Sequence, residues 1–144
     1  MAYEKNAAIE WFWWLHPRIY RLTGGRIGGT VMGMPVLLLT TRGRRTGLPR
    51  TRALTYLPRG DTAIVVASYL GEPRHPAWWL NLEANPDAEI QIGSTIRAVR
   101  AREASGEERN ALWSEIVTSM EEYAAYETRT DRRIPVVVLE PRPS

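Results

Sequence analysis

The chain has no cysteine, one lysine, one phenylalanine and two histidines among its 144 residues. Without thiols there is no disulfide, no thiolate metal centre and no cysteine nucleophile. His16 and His75 stand far apart, and neither has a second histidine or a carboxylate at ligand spacing, so no metal site is expected. No serine sits in a G-x-S-x-G elbow, and the carboxylates form no glycosidase-like pair. No apolar run approaches the ~20 residues that span a bilayer. The N-terminus lacks the basic, apolar and small-residue order of an export signal, which makes a cytoplasmic domain the expectation. An enzyme built from so few acid, base and nucleophile groups would draw its reactivity from a bound cofactor.

Acids are missing from one long stretch as well. None lies between Glu10 and Asp61, where nine arginines fall. The formal net charge of +3 therefore conceals −1 over residues 1–10, +9 over 11–60 and −5 over 61–144. Of the 19 cationic side chains only Lys5 is lysine. Arginine offers a planar fork that grips phosphate or carboxylate with two bonds, so an anionic partner is expected. The arginines crowd one turn and the helix aromatics lie far along the chain, which argues against nucleic acid.

Residues 4–15 read as a short helix, and 18–22 as a second piece after the break at His16-Pro17. Gly24, Gly25, Gly28 and Gly29 read as a plain loop, since no strand precedes them and no Lys-Ser or Lys-Thr follows. Residues 35–41 are a continuous apolar run of strand length, the pattern of a strand buried on both faces. Residues 42–49 form a turn by their glycine and proline content. Residues 50–57 and 62–68 read as a hairpin closed through Pro58-Arg59-Gly60-Asp61. A short helix is expected over 76–83, ended by Asn85-Pro86. Residues 89–92 and 95–101 make another hairpin around Gly93-Ser94. Ser105 and Glu108 have capping-box spacing, opening a helix with apolar positions Leu112, Ile116, Val117 and Met120. The last strand is 134–139. The fold class is α+β, mainly β: about six mostly antiparallel strands in a small barrel with flanking helices, not a doubly wound parallel sheet. Residues 1–22 read as an N-terminal aromatic segment and 23–144 as the barrel domain.

Three features carry chemistry. The turn places Arg42, Arg44, Arg45 and Arg50 on a glycine-containing link between apolar strands, where exposed N–H groups and guanidinium forks make a phosphate cradle. Its plainer role is a basic turn that guards a strand edge, but the lack of nearby acid favours the anion site. In His75-Pro76-Ala77-Trp78-Trp79-Leu80-Asn81-Leu82, adjacent tryptophans on a helix point ~100° apart. Either one packs while the other walls a pocket, or both are core. Tyr123 and Tyr126 share a helix face and either close a pocket with phenol donors or pack the helix end.

Four blocks occur in order: GGTVMGMPVLLLTTRGRRTGLPR, AIVVASYLG, HPAWWLNLEANPDAEIQI and TDRRIPVVVLEP. Through them the chain from Gly28 onward resembles the deazaflavin-dependent nitroreductase family, actinobacterial proteins that use reduced coenzyme F-420. The resemblance implies a split β-barrel, a flavin-reductase-like roll. It implies as cofactor a flat deazaflavin ring bearing a phosphodiester and a lactyl-oligoglutamate tail. The turn residues Arg44, Arg45, Thr46, Gly47, Leu48 and Arg50 would hold the phosphate and tail. Ala67, Ser68 and Tyr69 at a strand end, and Ala77, Trp78, Trp79, Leu80 and Asn81 at a helix start, are similar to segments that flank the ring. Tyr123 and Tyr126 match tyrosines near the substrate mouth, Tyr123 also bordering the cofactor. Ser68, Tyr123 and Tyr126 are the implied catalytic set, donors that polarise the acceptor oxygen. The chain departs from the nitroimidazole-activating member at Thr55 (tyrosine there), Tyr69 (lysine) and Met120 (the first of three tyrosines), and it has Arg45 where lysine is seen.

The implied activity is hydride transfer from reduced coenzyme F-420 to a small acceptor, a quinone foremost and nitroaromatics incidentally. The alternatives are a flavin mononucleotide-binding split-barrel protein and a deazaflavin carrier without turnover. Trp11, Phe12, Trp13 and Trp14, followed by Arg18 and Arg21, resemble an interfacial anchor. Such an anchor would bring the barrel to the inner face of the cell membrane. The same segment reads equally as a lid over the barrel.

Overall fold

A computed structural model of the chain describes residues 30–31, 34–67, 75–119 and 134–143. Residues 1–22, with the expected helices and anchor or lid, lie outside the described residues, as do the four glycines at 24–29. The elements are β1 (Thr30–Val31), β2 (Met34–Arg42), β3 (Pro49–Thr55), β4 (Leu57–Arg59), β5 (Thr62–Val66), α1 (Ala77–Ala84), β6 (Asp87–Ile92), β7 (Thr95–Glu103), α2 (Gly106–Ser119) and β8 (Val136–Pro141).

The strands neighbour one another in the order β1-β2-β6-β7-β8-β5-β4, and β3 pairs with the other edge of β2. Each pairing among the described residues is antiparallel. β3 and β4 are one strand interrupted at Tyr56. β3 holds one end of this order through β2 and β4 holds the other through β5, so residues 49–59 close the sheet into a split barrel of six staves.

The hairpin expected between 50–57 and 62–68 is corrected by this register. Residues 49–55 pair instead with β2, from Arg42↔Pro49 to Val36↔Thr55. Only Leu57, Pro58 and Arg59 pair with β5, around Gly60-Asp61 with Gly60 at φ +63°. Pro58 is thus a strand residue and not part of the turn. Among the described residues β4 is bonded on one side only, by β5, and a missing N–H is tolerated on such an edge.

The two faces follow the period-2 alternation of strands. Leu37, Leu39, Val65, Ile90, Val99, Val137 and Leu139 fill the barrel. Ile64, Val136 and Val138 point the other way and pack against Leu112 and Ile116 of α2. Val36 and Leu38 are buried with Ala53 on the outer face of β2, so the 36–39 run is covered on both sides as its sequence predicts. In α2 the expected stripe holds at Leu112 and Ile116, Val117 is half-buried, and Met120 lies outside the described residues. Glu108 gives both carboxylate oxygens to Arg102 on β7, at 2.6 and 2.8 Å, and the reciprocal capping bond expected of it gives way to that pair. Arg109 is buried, with its guanidinium over the Trp113 ring and Nη2 donating to the Ile134 carbonyl at 2.9 Å. No helix among the described residues is long and apolar enough to cross a membrane.

Candidate functional site: an arginine turn at one end of the barrel

Antiparallel register decides which loops share an end of the barrel. Thr41↔Arg50 and Thr40↔Glu89 bring the 43–48 turn beside the start of β6, into which α1 runs. Asp87↔Arg100 and Glu103↔Val137 carry that end round to β8. There the Ala67 N–H donates to the Pro135 carbonyl at 3.0 Å. The arginine turn, α1 and the exit of β5 therefore gather at one end. The turns at Gly60-Asp61 and Gly93-Ser94 sit at the other.

The turn is tightly knit. Gly43 N–H donates to the Leu48 carbonyl and Gly47 N–H to the Gly43 carbonyl, both at 2.8 Å. Leu48 N–H donates to Thr46 Oγ1 at 3.2 Å, and Arg42 Nη1 to the Gly47 carbonyl at 3.1 Å. A Cβ on Gly43 would lie 2.9 Å from Thr46 Oγ1 and 3.2 Å from the Leu48 carbonyl, so the turn needs glycine there. Gly47 takes φ +73°, a left-handed conformation that suits glycine. The N–H groups of Arg45 and Thr46 have no partner among the described residues.

α1 is fastened to this turn by one side chain. Asn81, only 4% exposed, donates from Nδ2 to Thr41 Oγ1 at 3.1 Å. Its Oδ1 accepts from the Arg44 backbone N–H at 3.1 Å and from Arg44 Nη1 at 3.0 Å. The arginine turn and the HPAWWLN segment, read apart in the sequence, are thus one structure. Of the two packing alternatives for the tryptophans, the structure shows the core one. Trp78 and Trp79 are 6% and 5% exposed and share the barrel cluster with Leu37, Leu39, Tyr56 and Ala67. α1 buries more than one face because Trp78, Trp79, Asn81 and Leu82 are all covered.

The other expected site residues divide clearly. Arg44, Arg45, Thr46 and Arg50 are exposed on the turn, and Leu48 presents an apolar side chain 56% exposed among them. Ala67 is buried, Ala77 exposed and Leu80 half-buried. Thr55 pairs with Val36 at the end of β3 away from the turn. Six residues of strand separate it from Pro49, roughly 20 Å. Ser68, Tyr69, Tyr123 and Tyr126 lie outside the described residues. Thr41 and Gly43 belong to the site but carried no assigned role. Only the glycine inside the turn signals one, while Thr41 looks like the end of an apolar strand.

Ion pairing separates the turn from the strands β4, β7 and β8. Among the described residues none of Arg42, Arg44, Arg45, Arg50 and Arg52 is ion-paired, whereas Arg59, Arg100, Arg102 and Arg142 all are. Hydrogen bonds from Arg100 hold the Asp87 carboxyl below its ordinary value, and those from Arg102 do the same for Glu108. Exposed guanidinium forks and the N–H groups of Arg45 and Thr46, unpartnered among the described residues, are a donor set that fits the phosphate and carboxylates of a polyanionic cofactor.

A model of the F420H(2)-dependent quinone reductase family matches residues 13–141. The chain belongs to that family. It is an oxidoreductase by family, and coenzyme F-420 is the cofactor the family name specifies. Among quinone reductases of this family, the F420H(2)-dependent quinone reductase Rv1261c of Mycobacterium tuberculosis is 45% identical over 129 residues, covering 87% of each chain. A solved F420-H2 dependent reductase (FDR-A) is 39% identical, with a TM-score of 0.68 over 74% of this chain and 94% of that one. A second solved structure, described as a domain-swapped dimer, is 37% identical, with a TM-score of 0.70 over 88% of this chain and 97% of that one.

Proposed function

We propose that the protein transfers hydride from reduced coenzyme F-420 to a quinone, with the arginine turn as its anion-binding half and the α1 end of the barrel as its ring-binding half. The observation that carries this reading is the acid-free arginine turn joined through Asn81 to the tryptophan-bearing helix. When bound, the reduced deazaflavin supplies the hydride. Arg45 and Arg50 would hold the phosphodiester and tail carboxylates with charge-assisted bonds, and the end of β5 and the start of α1 would flank the ring. Trp78, Trp79 and Leu82 anchor α1 in the barrel core, which fixes the start of the helix. By the family resemblance Ser68 and Tyr123 would donate hydrogen bonds to the acceptor oxygen where negative charge develops, and Tyr126 matches a tyrosine near the substrate mouth.

The charge also selects the cofactor. Flavin mononucleotide ends in one phosphate, which one arginine and a few backbone donors satisfy; a phosphodiester with several glutamates neutralises the whole cluster. Parallel fluorescence titrations and oxidation of the reduced coenzyme by menadione test the reading. Tight deazaflavin binding with steady turnover is expected. Equal or better affinity for flavin mononucleotide, or binding without turnover, overturns it.

Nitroaromatics are incidental acceptors in this reading, since Thr55, Tyr69 and Met120 depart from the nitroimidazole-activating member. The Trp- and Arg-rich segment 1–22 brings the barrel to a membrane surface holding lipid-soluble quinone, and the protein is otherwise cytoplasmic. Liposome flotation of the full chain against one lacking residues 1–22 tests the contact; identical behaviour removes it.

A further inference from the structure

We propose that Asn81 is a positioning residue that holds Arg44 for the anion without neutralising it. This rests on the assignment of the arginine turn to the anionic part of the coenzyme. A buried amide must spend its donors and acceptors. Here the partners fix which end faces where: the Arg44 N–H and guanidinium only donate, so the oxygen of Asn81 must face them. The nitrogen then donates to Thr41 Oγ1, at the end of β2. One side chain on α1 thereby fixes both the main chain and the side chain of Arg44, while Arg44 stays exposed and keeps Nε, Nη2 and the second Nη1 proton for a ligand.

The choice of a neutral acceptor matters chemically. An aspartate is almost the same shape and would hold Arg44 more strongly, as an ion pair. It would also place a negative charge beside the forks that are to receive a phosphate, cancelling one of the unpaired cations. Asparagine orders the arginine and leaves the charge of the turn intact. Ordering in the free protein matters because a long side chain otherwise surrenders its freedom when the ligand arrives. The other arginines whose partners are known on this barrel are held by carboxylates and not by a buried amide, apart from those bonded to main-chain carbonyls.

Asn81→Asp separates a cradle role from a merely structural one, because stability and affinity should move independently. The probes are oxidised coenzyme F-420 and its phosphate-free, tail-free deazaflavin nucleoside, titrated by fluorescence alongside thermal unfolding. Asn81→Asp is expected to keep its Tm within a few degrees and to bind the intact coenzyme at least ~10-fold more weakly. The loss should shrink as salt rises, and the phosphate-free nucleoside should bind as it does to the wild type. Asn81→Ala should also weaken the coenzyme, and its loss should not add to that of Arg44→Ala, since the amide acts through that arginine. Wild-type affinity of Asn81→Asp for the coenzyme overturns the proposal, as does an equal loss for both probes. Arg45→Ala and Arg50→Ala run alongside: if they weaken binding and Asn81→Asp does not, only the role of Asn81 falls. If none of them does, the assignment of the turn itself falls.

Discussion

Arg102 lies between Glu108 and Glu140 and bonds to both, tying β7 to α2 and to β8. Arg45 and Arg50, on the turn at one end of the barrel, are exposed like Arg102 yet face no carboxylate among the described residues. The same side chain thus serves two purposes. Around the β7–α2–β8 face Arg59, Arg100, Arg102 and Arg142 meet acids drawn from the −5 half of the chain. At the turn, a stretch without a single acid between Glu10 and Asp61 keeps the cations unspent. Crowding like charges raises the free energy of the empty protein, and a bound polyanion relieves it. An arginine's function on this barrel can be read from what faces it.

That contrast is open to direct attack. The largest effect is expected at the turn: Arg45→Ala and Arg50→Ala should each weaken coenzyme F-420 by ~10-fold or more, together by ~100-fold or more, with Tm almost unchanged. Fluorescence titration and thermal unfolding of the same samples decide it, and unchanged titration curves erase the distinction. Arg102→Ala should do the reverse, lowering Tm by no more than a few degrees because its pairs are half-exposed, and leaving coenzyme affinity alone. A loss of affinity there would mean that the two groups of arginines are not separable. The smallest effect is a pH dependence. Hydrogen bonding to Arg102 lowers the Glu108 pKa in the folded chain, so the stabilisation is present above its unfolded pKa and is lost as pH falls through the lower folded value. Acid unfolding of Arg102→Ala should accordingly show a shallower loss of stability below the ordinary carboxylate range. Superimposable acid profiles would remove Glu108 from that account.

Some of this was legible in the residues and some was not. The 36–39 run announces a strand covered on both faces, and Gly93-Ser94 announces the β6–β7 turn, because burial and turn chemistry are local signals. The partner of residues 49–55 is misread because a glycine-proline cluster at 58–61 looks like the nearer turn. The break at Tyr56, which lets one strand bond at both ends of the sheet, has no mark in the sequence. The arginine turn stands out by charge alone. The link from α1 does not: Asn81 is an ordinary mid-helix residue until the fold brings it to Arg44 and Thr41, 37 and 40 positions upstream. The tryptophans were ambiguous since a helix with buried residues on several faces has no periodicity to reveal its packing side.

The closure of the barrel through residues 49–59 also bears on how the chain assembles. β2, β3, β4 and β5 are a local meander whose two outer edges, on β2 and β5, find no partner within it. β6, β7 and β8 fill the gap from β2 across to β5, and β8 is the stave that meets both β7 and β5. Every pairing of β8 spans a long stretch of chain, so it forms late against the entropy of closing large loops. Without residues 136–141 the edges of β5 and β7 would both lack the partner that β8 supplies. A matching strand from another copy could pair with both, so β8 is the stave on which closure within one chain depends.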